Sequence, residues 1–178
     1  TDLFGYTLLH ARGGIWAEID VVCVRPLDFA SGMDYFFASE MLPPQPGDGD
    51  KMRVRTSGCV MKAPAGSPLI EHCLSAARAA ADTPESPLTG PLLLHAAVEK
   101  FNMTGALLNP NLFCPIPFFN MPALISGMAT LPPESYGVHL WNESWRRNLF
   151  DRNADYDPLS LYERLKTHYL GRRGPSHA

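Results

Sequence analysis

Apolar residues in this chain recur with two different periods, and the period changes mark the expected elements. Leu3, Phe4, Leu8 and Ala11 fall at helical spacing behind Thr1, a suitable N-cap, and Gly13 with Gly14 supply a stop, so a helix is expected over residues 1–12. The next run, GIWAEIDVV from Gly14, reads as a strand with Ala17, Ile19 and Val21 on its core face. Glu18 and Asp20 then share the opposite face. A strand exit is expected at residues 25–29 and a second buried strand at 35–39. Residues 43–50, broken by Pro43, Pro44, Pro46, Gly47 and Gly49, cannot hold regular structure. Asp48 and Asp50 lack the later glutamate of a calcium loop, so a solvated loop suited to a lid is expected there.

Thr56-Ser57-Gly58 predicts a turn leading into a short apolar strand. Ser67 and Pro68 open a helix with Ile70, Leu74, Ala77 and Ala81 on one face and His72 and Arg78 outside. Thr89-Gly90-Pro91 opens another helix, running to about Asn102, with Leu94, Ala97, Val98 and Phe101 inward. Residues 107–122 are rich in proline and aromatic side chains and are expected to be irregular and to serve packing. Residues 125–133 read as a surface crossing. Val138 and Leu140 alternate with His139 and Trp141, as on a strand with one buried side. Asp157-Pro158 predicts the cap of a last helix carrying Leu161, Leu165 and Tyr169 at helical spacing, and residues 171–178 read as a flexible tail.

Helices and strands in this order predict one α/β domain across residues 1–178. The charge balance, 15 Lys and Arg against 18 Asp and Glu, argues against a nucleic-acid groove. It leaves room for a small anionic ligand whose charge a metal offsets. Cys23, Cys59, Cys73 and Cys114 show no C-x-x-C or Cys/His ligand spacing, so neither a zinc site nor a disulfide framework is demanded. Buried, reduced thiols in a cytoplasmic or membrane-peripheral protein are expected, and no run of about eighteen apolar residues suggests a membrane span.

The candidate chemistry begins at Glu18 and Asp20. Same-face positions on a strand lie roughly 6.5–7 Å apart, close enough for two carboxylates to address one divalent cation, and hard oxygen donors suit Mg2+ or Mn2+ better than zinc. An isolated E-x-D pair also serves as the wet side of an amphipathic strand. Asp2 reads as a first-turn acid facing the helix dipole. Exposed N–H groups beside Gly90 suit an anion if that helix start faces a cleft.

The block D-L-F-x-Y-x-L-L-x-x-x-G-G-I-W-x-[DE]-x-D-V, from Asp2 to Val21, resembles the signature of glycosyltransferase family 32. These are DXD-containing enzymes whose relatives include the large clostridial toxin glucosyltransferases. H-x-x-x-x-S-W, from His139 to Trp145, resembles the C-terminal motif of the same family. The resemblance implies a GT-A-like fold, a mixed sheet flanked by helices, entered after the portion that binds the nucleotide base. The chain is therefore expected to be a fragment or a processed piece, with that portion or a second copy covering the exposed sheet. It implies transfer of a hexose from a UDP- or GDP-sugar to a glycan, lipid-linked or protein hydroxyl with retention of configuration, as in polysaccharide biosynthesis.

The same resemblance implies a Mn2+ or Mg2+ ion held by Glu18, Asp20 and His139. Asp2 and Asp20 are then the catalytic acids, Asp2, Ser57 and Gly90 adjoin the donor, and Ser144 and Trp145 close over the leaving diphosphate. Two positions depart from the family pattern. Gly5 stands where an arginine is common, at a cost of roughly 1 kcal/mol against alanine in a helix interior, and Glu18 replaces the first aspartate. These departures keep open a domain that binds a nucleotide sugar without turnover and acts as a regulatory or scaffold partner. A metal-free glycan-binding module is the third reading.

Overall fold

The structure, a computed structural model, describes residues 2–47, 52–81, 90–127 and 129–171. The expectations placed on Thr1, Asp48, Asp50, Thr89 and the tail beyond Gly171 lie outside the described residues. Helix α1 (Asp2–Arg12) ends at Gly13, whose φ of 64° and N–H bond to the Leu9 carbonyl at 2.7 Å make a left-handed stop. Its packing face is not the expected one. Gly5, Tyr6 and Leu9 are buried, whereas Phe4 is 64 % exposed and Leu3 and Leu8 also face outward. The reason lies at Gly5, where an added Cβ would stand 3.0 Å from the indole of Trp16. A missing side chain, rather than an apolar one, sets how this helix seats.

The acidic run forms two strands instead of one. Strand β1 (Gly14–Ala17) is the edge of an antiparallel sheet in the order β1-β4-β3, with β3 spanning Phe36–Leu42 and β4 Arg53–Ala63. Strand β2 (Val21–Cys23) belongs to a second, two-stranded sheet, antiparallel to β5 (Gly137–His139). The chain changes sheets through a turn at residues 18–20, closed by the Val21 N–H on the Glu18 carbonyl at 3.2 Å. Ile19, expected in the core, is therefore 92 % exposed, and Ala17 is exposed as well.

The α/β class holds at the coarse level. The strands pair antiparallel in two small sheets in place of one mixed sheet, and among the described residues the parallel contact is an isolated bridge between Phe37 and Leu107. β4 continues through Thr56, Ser57 and Gly58, where a turn was expected. The break shows instead as a register shift within the strand pair: Phe37 faces Met61 and Ser39 faces Thr56, so the extra residues, Ser57 to Val60, lie on β4.

Strand alternation divides the interior into two cores. Phe36 and Val60 join a cluster with Phe113, Met121, Leu124, Val138 and Trp145. Phe37 and Met61, one residue along each strand, join Tyr6, Leu9, Ile70, Leu94 and Val98 on the other side. The second cluster is closed by α2 (Pro68–Ala81) and α3 (Pro91–Lys100), whose Ile70, Leu74, Leu94, Ala97 and Val98 are buried as expected. Residues 104–124 form three 3-10 turns joined by irregular chain, and Phe113, Cys114, Met121 and Leu124 are buried there.

The short helix α4 (Asn142–Arg147) follows β5 directly. The last helix, α5 (Leu161–Leu170), is capped by Ser160, whose Oγ accepts the Glu163 N–H at 3.2 Å, rather than by Asp157. Its buried face carries Leu161 with the pair Glu163–Lys166 at 2.6 Å, in place of Tyr169. That pair tolerates burial because Glu163 also accepts the Tyr156 N–H and Lys166 donates to the Ala154 carbonyl. No helix among the described residues is long and apolar enough to cross a membrane.

The close seat of α1 on Trp16 gives a direct test. Gly5→Leu is expected to lower stability by about 1–3 kcal/mol through overpacking, read as a shifted urea midpoint with an unchanged slope. An unchanged midpoint would show that position 5 does not set the packing of α1.

Candidate functional site

The change of sheets at residues 18–20 places both acids at the seam between β1 and β2. The Glu18 N–H donates to the Cys59 carbonyl at 2.8 Å, which ties the turn to β4. Pairing of Val21 with His139 brings β5 alongside, and the Leu140 N–H on the Asp20 carbonyl at 2.9 Å extends that ladder by one bond. The imidazole Nε2 of His139 lies 3.4 Å from Glu18 Oε2 and 3.4 Å from Asp20 Oδ2. The three side chains offer ligand atoms that all lie within 4.8 Å of one another. Residues separated by more than a hundred positions thus meet at one point, though through a turn and not through alternation along one strand.

His139 is held from several sides. Its backbone N–H donates to the Phe113 carbonyl at 2.8 Å, and its ring lies 3.9 Å from that of Trp141. Trp141 sits in the left-handed region, φ 57°, with its indole N–H on the Ile116 carbonyl at 2.7 Å. Asp20 Oδ2 accepts the Asn142 N–H at 2.9 Å, fixing the start of α4 to the acid pair.

Electrostatics follow from this arrangement. Burial opposes charge on His139, but its neighbours Asp20, Cys59 and Glu18 outweigh it and raise its pKa from 6.5 to about 11. Burial likewise opposes charge on Asp20, yet the bond from His139 and the Asn142 N–H hold its pKa below the ordinary carboxylate value. Asp2 is pushed up, first by burial and then by the nearby Glu18. An imidazolium therefore neutralises part of an acidic cluster.

Two adjoining concavities, about 310 and 480 Å3, open on this point and share Glu18, His139, Trp141, Glu143 and Ser144. The smaller reaches Asp20 and the larger reaches Asp2, Ser57 and Gly90. Asp2 and Gly90 touch: a Cβ built on Gly90, whose φ is 60°, would lie 3.2 Å from Asp2 Oδ2. The start of α3 therefore faces the cleft.

Trp145 does not line either concavity. It is 1 % exposed, its indole N–H donates to the Leu140 carbonyl at 2.6 Å, and its ring packs 4.7 Å from Tyr162. Its position in the sequence is next to the cleft, but the helical turn after Ser144 points it into the core. Arg146 and Arg147 are exposed and both pair with Glu143, at 2.6 and 3.0 Å, and Arg147 reaches the rim of the larger concavity.

Sequence reasoning missed Trp141 as the indole of the cleft, because only its left-handed backbone turns it there. It also missed Glu40 and Arg55, paired at 2.6 Å across β3 and β4 on the cleft wall. Burial raises the Glu40 pKa even against Arg55. The signal available was Glu40 itself, a carboxylate closing a buried run, Phe36 to Ser39.

Two carboxylates and one imidazole, each within reach of the others, could together hold one metal ion. No protein-family model matches the chain, and comparison with curated proteins finds no matching relative.

The raised pKa of His139 has a defined pH signature. A raised folded-state value contributes stability that is full below the unfolded value of 6.5 and is lost as pH rises through about 11. With chelator present, the stability difference between the wild type and His139→Gln is expected to shrink across that window. The imidazole is expected to remain protonated at pH 8 by NMR, and a neutral ring at that pH would contradict the account.

Proposed function

We propose that the chain is the metal- and donor-binding part of a GT-A-like glycosyltransferase of the family 32 type. In this reading it transfers a hexose from a UDP- or GDP-sugar to a hydroxyl of a glycan, lipid-linked or protein acceptor. The observation that carries the reading is the meeting of Glu18, Asp20 and His139 at the mouth of a cleft that also holds Asp2, Ser57, Gly90 and Ser144. Asp2, Glu18 and Asp20 belong to one sequence motif and His139 and Ser144 to another, and a common cleft is what joint work on one ligand requires.

Glu18, Asp20 and His139 would hold a divalent cation, which would supply Lewis-acid neutralisation of the departing diphosphate. The residues of the chain do the rest. Asp2, half-buried beside Gly90, accepts hydrogen bonds from sugar hydroxyls and fixes the ring. Ser144, which lines the same concavity, donates to a phosphate oxygen, and Trp141 keeps the His139 ring at its station. Glu18 in place of aspartate keeps the charge and lengthens the reach by one methylene.

A second reading, donor binding without turnover, is favoured by one observation. Gly5 backs onto Trp16, so position 5 offers the donor no side chain where the family pattern has an arginine. Calorimetry with Mn2+, Mg2+ and a panel of UDP- and GDP-hexoses, followed by an assay for released nucleotide, separates the readings. Metal-dependent donor binding with release is expected, and Asp20→Asn is expected to weaken Mn2+ binding at least tenfold. Binding without release selects the second reading. Donor affinity unaffected by chelator would overturn both.

A further inference from the structure

His139 also belongs to a second cluster, on which the proposed transfer does not draw. Cys59, on β4, and Cys114, in the irregular segment, are 1 % and 0 % exposed, and their sulfurs stand 3.6 Å apart. One imidazole nitrogen of His139 lies with both sulfurs inside a 4.8 Å cluster. Nε2 faces the carboxylates, while Nδ1 is buried with no hydrogen-bond partner, on a side chain that is 8 % exposed. A buried orphan nitrogen of this kind calls for a ligand.

The spacing of the sulfurs narrows the choice. A disulfide needs about 2.05 Å, so the sulfurs would have to close by roughly 1.5 Å. Tetrahedral coordination with metal–sulfur bonds of about 2.3 Å sets two thiolates about 3.8 Å apart, close to what is observed. Two thiols in simple contact would also explain 3.6 Å but leave Nδ1 without a partner. We propose that Cys59, Cys114 and Nδ1 of His139 form a buried site for a soft, thiophilic divalent cation of the Zn2+ type. Binding replaces the two thiol protons and the Nδ1 proton of the imidazolium with metal–ligand bonds and releases all of them to buffer, and no electron moves. The Ser57 Oγ accepts the Cys59 N–H at 3.4 Å, next to this cluster. Because one ring serves both clusters, occupancy of the sulfur site fixes the imidazole that the two acids face. C-x-x-C spacing hides nothing here: the ligands come from three separate segments and meet only in the fold.

The test uses the whole chain, reduced, stripped with chelator and titrated with Co2+ and then Zn2+. One equivalent of Co2+ is expected to give sulfur-to-cobalt charge-transfer absorption in the near ultraviolet, removed by Zn2+ and resistant to Mn2+. Cys59→Ser and Cys114→Ser are each expected to abolish that band while the far-ultraviolet spectrum is unchanged, and Glu18→Gln to keep it. X-ray absorption at the zinc edge of the wild type, which needs no variant to fold, is expected to show two sulfurs at about 2.3 Å. A zinc shell without sulfur, a charge-transfer band surviving both cysteine substitutions, or a band lost in Glu18→Gln would overturn the proposal. So would a protein whose cysteines pair under hydrogen peroxide yet bind no zinc when reduced.

Discussion

An imidazole held between two carboxylates is the constraint on which the rest of the structure turns. The three-stranded sheet brings Glu18 to the seam through β1 and the Cys59 carbonyl, and the two-stranded sheet brings His139 through its pairing with Val21. Asp20 lies where the chain passes from one to the other. Were the ring removed, two partly buried acids would face each other across that passage with no compensating charge, a costly arrangement in a site of low dielectric. The imidazolium therefore serves structure at the point where the proposed cation would sit.

That double use explains the shape of the surroundings. Trp141 adopts a left-handed backbone, which costs energy in a residue of this size, and so brings its ring against His139 while its indole N–H stays bonded. Trp145, four residues on, anchors the end of β5 from within the core through the Leu140 carbonyl. The start of α3 at Gly90 and the first turn of α1 at Asp2 meet on the opposite wall. Binding of the proposed cation would require this imidazolium to give up a proton, since a ligating histidine must be neutral.

The helices α2 and α3 were legible because burial of one face leaves a 3.6-residue pattern in Ile70, Leu74, Leu94, Ala97 and Val98. The same rule failed for α1, where Leu3, Phe4 and Leu8 suggested a face and Gly5 decided it through contact with Trp16. Period-two alternation failed at residues 17–21 because the run changes sheets midway, and no local preference records which strand a segment will pair with. The sequence singles out Glu18, Asp20 and His139 by their chemistry, a signal independent of the path between them, and the fold brings the three within reach of one another. Glu40, Arg55, Cys59 and Cys114 escaped because tertiary packing alone brings them to the cleft or beneath it.

The central claim is that Glu18, Asp20 and His139 form one cation site at the mouth of the cleft. Anomalous diffraction from crystals soaked in Mn2+ tests it most directly. The account predicts a single strong peak in contact with the two carboxylates and Nε2 of the imidazole. A peak elsewhere, or none at an occupancy that saturates the protein in solution, would contradict it.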